Sequence, residues 1–98
     1  MDQLQLLLNQ AHGWAVKHLL RGLQQLTLED LDELERIAGE ASQLQLAFMS
    51  ELLEHFIKEA RQVVLGGDQE EAMLFHYARL VQYVEQSGIL KDEAYENA

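Results

Sequence analysis

Glu51, His55 and Glu59 stand four residues apart, a spacing that on a helix stacks two carboxylates and an imidazole in one row. Oxygen and nitrogen donors arranged this way are candidate ligands for a divalent metal. The row departs from the Glu-x-x-His pair of di-iron bundles, because Leu52 occupies the position three before His55. A solvated row on the shoulder of a helix is the competing reading. His12 and His18, six residues apart, share no ligand face, and His76 stands alone on a helix flank near Tyr83. No serine or threonine is set beside a base: Thr27 and Ser42 occupy capping positions, and Ser50 and Ser87 match no triad arrangement. Gly66-Gly67-Asp68 follows a helical stretch and lacks the longer glycine pattern and lysine of a phosphate loop. The expectation is therefore no enzyme, no catalytic residue and no cofactor.

The elements that must position these residues are all helical. From Leu44 to Leu65, apolar residues at Phe48, Met49, Leu52, Leu53, Phe56, Ile57, Ala60, Val63 and Val64 cover about half of a helix circumference at about 100° per residue. An arc this wide predicts a central helix over about 43–65, touched by two or more neighbours. Gln45 falls inside the arc and needs a partner or an end position. Glu54 and Lys58 are spaced for an ion pair, and Gly66-Gly67 should stop the helix.

Upstream, residues 3–25 predict a helix with Leu4, Leu7, Leu8, Ala11, Ala15, Leu19, Gly22 and Leu26 on its inner face and Trp14 at the edge of that face. Gly22 would admit a neighbouring helix, and Gly13, on the opposite side, would mark a bend. Leu6, Val16 and Leu20 fall off the stripe. Thr27 and Asp30 form a capping box for a second helix, with Leu28, Leu31, Leu34, Ala38 and Ala41 inward. Its outer face holds Glu29, Asp30, Asp32, Glu33, Glu35 and Glu40 against Arg36 alone. A kink or short break is expected near Gly39 to Ser42, with Ser42 as the cap of a new helix start. Asp68 should cap a last helix over about 69–86, with Met73, Leu74, Tyr77, Leu80, Val81 and Val84 inward and Phe75 outward. Gly88 should end it, Ile89 and Leu90 should fold back, and residues 91–98 read as a frayed acidic tail. The fold class is all-α, a single domain over residues 1–98 built as a small bundle of three to four helices.

Composition narrows the function. The formal net charge of −10 argues against binding a phosphate backbone directly or an anionic membrane surface. No apolar run is long enough to span a bilayer, and the first residues lack the basic region of a secretory signal. The absence of cysteine removes disulfides and thiolate metal sites and fits a cytoplasmic setting.

Three features along Gly13 to Gly67 are similar to the carboxy-terminal helical collar domain of the bacterial clamp-loader δ′ subunit of DNA polymerase III. Trp14 lies in a first helix, the Leu34–Ala38 run follows, and Gln45, Phe48 and Met49 match a Gln-x-x-Phe-hydrophobic pattern in a long helix. The chain departs from that family at Ser42-Gln43, where Arg-Glu is usual, and these residues span none of its ATPase or zinc-bearing modules. The resemblance implies a domain that assembles with sister subunits and does no chemistry.

The residues thus point to a helical protein–protein interaction or oligomerisation module, binding a partner or a second copy through Leu6, Val16, Leu20 and Phe75. A metal-binding bundle using Glu51, His55 and Glu59 is one alternative. A regulator that offers its acidic helix, Glu29 to Glu40, to a basic partner is another.

Overall fold

The computed structural model describes residues 2–96, with side chains described through Ser87. Within them the chain forms four helices: α1 (Gln3–Arg21), α2 (Leu28–Gln43), α3 (Ala47–Val64) and α4 (Glu70–Glu96). Each packs antiparallel to the next, and α4 returns beside α1. The order is read from its ties: Trp14 to Asp30, Arg61 to Glu35, His55 beside His76, and Tyr77 to Ala15. The result is an all-α bundle, as the periodicities require.

Local chemistry fixes where the helices begin and end. The Asp2 carboxylate caps α1 by accepting from the Gln5 backbone N–H at 2.7 Å. Helix α1 ends earlier than the spacing predicts, at Arg21, because Gly22 takes φ 98° and a short 3-10 turn, Leu23–Gln25, follows. Gly22 therefore supplies a left-handed turn, not a close approach between helices. At Gly13 the helix continues without a break.

Thr27 and Asp30 form the full capping box at the start of α2. The expected kink near Gly39 is absent, since α2 runs unbroken to Gln43 and Ser42 caps nothing. The break comes at Leu44–Leu46. There the Leu46 N–H donates to the Ala41 carbonyl and the Gln45 N–H to the Ser42 carbonyl, with Gln45 at φ 62°. This is a Schellman ending with glutamine where glycine is usual. Gln45 leaves the predicted apolar arc because it is the turn itself. Helix α3 ends in the same motif, Gly67 N–H to the Gln62 carbonyl and Gly66 N–H to the Val63 carbonyl, with Gly66 at φ 98°. Helix α4 starts one residue later than an Asp68 cap would set it, at Glu70, and passes through Gly88 to Glu96. Glycine ends a helix only where the backbone turns left-handed, and here it does not. The expected packing of Ile89 and Leu90 and the fraying of the last residues lie outside the described side chains.

The core draws on all four helices. Leu7, Leu31, Leu34, Ile37, Met49, Leu53, Phe56, Ile57 and Leu80 are almost wholly buried. Phe56 lies at its middle, its ring 5.7 Å from that of Trp14 and 5.9 Å from that of Tyr77. Several residues placed inward by spacing are instead exposed: Leu4, Leu19, Leu28, Phe48 and Leu74. Leu19, Leu28, Phe48 and Leu74 sit at the edges of their stripes, where the neighbouring helices leave the flank uncovered, while Leu4 lies mid-stripe in the first turn of α1, at the end of the bundle. Ile37, outside the predicted stripe, is buried, and so is Trp14.

Candidate functional site

Leu6, Val16, Leu20 and Phe75 all point to solvent, at 50%, 39%, 82% and 59% exposure. Phe75 carries Arg79 on its face, with the guanidinium carbon 5.7 Å from the ring centre, and meets the His76 ring edge-on at 5.3 Å. The antiparallel pairing of α1 with α4 brings the C-terminal turn of α1 and the N-terminal turn of α4 to one end of the bundle. The α1–α2 and α3–α4 connections lie at that same end. Leu19, Leu20, Leu28, Leu65, Leu74 and Phe75 are exposed there together. Large apolar side chains gathered this way mark a docking surface more often than single exposed ones do. The sequence pattern nominated Leu20 and Phe75 because they lie off the stripes. It missed Leu19, Leu28 and Leu74 because their spacing matches the core, while their exposure depends on which neighbouring helix covers the edge of each stripe.

The metal reading fares differently. Glu51 and His55 are exposed and Glu59 is half-buried. His55 instead meets His76 across the α3–α4 seam, ring centres 5.5 Å apart. Burial and the neighbouring His55 hold the His76 imidazole below the usual histidine range, against the pull of Glu59. Among the described residues no group of three histidine, aspartate or glutamate side chains is placed to hold a metal ion. Farther along the same α3–α4 seam Tyr83 packs edge-on with Phe48 at 5.4 Å.

Among the described residues, His18 is the one histidine buried in the core. Its ring stacks obliquely on Trp14 at 4.4 Å, and its Nε2 lies 3.9 Å from Asp30 Oδ1, too far for a hydrogen bond. Burial lowers the His18 pKa, outweighing the attraction of Asp30, so the ring is neutral near pH 7. Burial alone would raise the Asp30 carboxyl, but its hydrogen bonds with Thr27 and the nearby His18 hold it below the usual range. The Trp14 indole N–H donates to the Asp30 backbone carbonyl at 3.0 Å. His18, Trp14, Thr27 and Asp30 thus lock the α1–α2 corner.

The acidic face of α2 is partly engaged. Arg61 pairs with Glu35 at 3.0 Å and Arg36 with Glu40 at 2.7 Å, while Glu29, Asp32 and Glu33 are exposed. The expected Glu54–Lys58 pair is not among the ion pairs of the described residues. No helix among the described residues is long and apolar enough to cross a membrane. No protein-family model, curated protein or solved structure matches this chain.

Proposed function

We propose that this chain is a non-enzymatic helical module that binds protein through the outward apolar residues of α1 and α4. The observation that carries the reading is the exposure of Leu6, Val16, Leu20 and Phe75 around a core already closed by Leu7, Phe56, Leu80 and their neighbours. These four side chains leave between 39% and 82% of their surface in water in the folded monomer. Leaving large apolar groups in water is unfavourable, and a protein surface that covers them recovers about 25 cal/mol per Å². A collar-type domain assembling with sister subunits, as the sequence resemblance implies, is one form of this reading.

A photo-crosslinking residue placed at Leu20 or at Phe75 tests it. Both positions should give protein adducts in cells, a second copy included, while the same group at exposed Glu51 should not. Equal yields at all three positions, or none at Leu20 and Phe75, would refute the proposal.

The exposed acids Glu29, Asp32 and Glu33 favour a second reading, capture of a basic partner by α2. Neutralising Glu33 and Glu35 should then abolish a salt-sensitive association. Capture that survives both changes removes this reading.

A further inference from the structure

Gly13 stands at the middle of the outward face of α1, where the structure gives no internal reason for a glycine. Its backbone is ordinary helix, and a methyl group placed on it would meet no atom of the chain within 4 Å. Glycine in a helix interior is less favourable than alanine. The residue therefore keeps open a groove on the surface, not a space within the fold.

That groove is flanked symmetrically. Leu6 and Leu20 each lie seven residues from Gly13, close to two turns away on the same face, and both are exposed. Val16 borders the groove and is exposed as well. A face with this spacing is complementary to itself when reversed. We infer that α1 pairs antiparallel with α1 of a second copy of this chain, the two-fold axis passing close to Gly13. This rests on the reading that the exposed apolar residues dock protein, and it names the occupant.

In the pair, Leu6 of one copy packs beside Leu20 of the other, the two Gly13 positions face each other, and Val16 lies beside them against Gln10 of the other copy. Without a side chain at Gly13 the two helices approach closely. Such an interface is isologous, as two-fold dimers require.

Charge selects α1 for this role. Two copies of a −10 chain repel, yet no aspartate or glutamate occurs from Gln3 to Leu28, while Lys17 and Arg21 do. Reversal carries Lys17 and Arg21 toward the N-terminal half of the other α1. That half is flanked by Asp2, which caps it, and by Glu85, 3.7 Å from His12. Opposite charges meet across the pair, and the antiparallel helix dipoles are favourable. The strip from Leu6 to Leu20 is about 21 Å long. One helix face of that length buries a few hundred Å² per copy, below the about 800 Å² of a standard interface. The dimer is accordingly weak and depends on concentration.

Sedimentation of the full chain from about 10 µM to about 1 mM tests this, spanning the affinity range of small interfaces. The mass should rise from monomer toward dimer, and Leu20→Glu should raise the dissociation constant at least tenfold. Gly13→Ala should raise Tm through helix propensity while weakening the dimer; a rise in Tm with dimerisation unchanged would overturn the role of Gly13. The chain lacks cysteine, so Leu6→Cys and Leu20→Cys copies can be mixed and mildly oxidised. The mixed disulfide should dominate, whereas 6–6 and 20–20 bridges in its place would overturn the antiparallel arrangement. A monomer at every concentration overturns the dimer altogether. Adducts with other proteins at Leu20 would in that case leave the broader docking role standing, and their absence would remove both.

Discussion

The Tyr77 hydroxyl donates to the backbone carbonyl of Ala15 at 2.9 Å, joining α4 to α1 across the buried seam. Burial, aided by the nearby Glu85, pushes the Tyr77 phenol above its usual value of 10.0. Tyr77→Phe should cost about 1 kcal/mol, the net worth of one hydrogen bond, and leave helix content unchanged. Because the folded pKa is raised, the contribution of Tyr77 is full below pH 10 and is lost as pH climbs through the folded value. Alkaline unfolding followed by circular dichroism should therefore be shallower in Tyr77→Phe than in the parent. Parallel curves would contradict the assignment.

Two phenylalanines separate core from surface. Phe56 is fully buried between Trp14 and Tyr77, while Phe75 is 59% exposed. Phe56→Ala should lower unfolding free energy by about 3–5 kcal/mol, the range for a large side chain lost from a packed core. Phe75→Ala should change it by less than about 0.5 kcal/mol. Urea titrations of both variants decide the matter, and comparable losses would show that Phe75 belongs to the fold.

The two Schellman endings make an opposed pair. Gln45 holds φ 62° with a side chain attached, whereas Gly66 holds φ 98° without one. A left-handed conformation costs an ordinary residue about 1–2 kcal/mol. Gln45→Gly should thus stabilise the protein by up to about 1 kcal/mol, part of the strain relief being offset by the greater freedom of glycine when unfolded. Gly66→Ala should destabilise by a similar amount. Differential scanning calorimetry would show Tm moving in opposite directions, and shifts of the same sign would rule out strain as the cause.

Mild acid should loosen the bundle. His18 and His76 both have pKa values lowered by burial. For each, the unfolded chain binds a proton as pH falls through about 6.5 while the folded chain still resists it. Stability is therefore full above that pH and declines below it. Tm should fall from pH 7.5 to pH 5.5, and His18→Gln should fall less steeply. An identical slope in the variant would exclude His18 as a source.

Much of this was legible from helical spacing, and its gaps have physical causes. The Thr27–Asp30 box and the Gly66 stop were readable because each is local: a few side chains satisfy a few backbone groups. Periodicity also located Leu52, Leu53, Phe56 and Leu80 in the core. The α2–α3 break was misplaced because Gln45 gives no glycine signal for its left-handed turn, while Gly39, which does, remains helical. Leu19 and Leu74 carry core spacing, but exposure depends on which neighbour covers each flank, and that is a tertiary fact. His18 gave no pattern at all, since its burial follows from how Trp14 and Asp30 meet at the corner.

The acid-free stretch from Gln3 to Leu28, set on a chain of net −10, makes the molecule electrically lopsided. Its field turns it during diffusion, so that an anionic body is met with α1 in front and a cationic one with α2. Orientation of this kind reaches about 10 Å in 0.1 M salt and about three times farther in 0.01 M, so encounter rates carry the imprint of ionic strength before any contact forms.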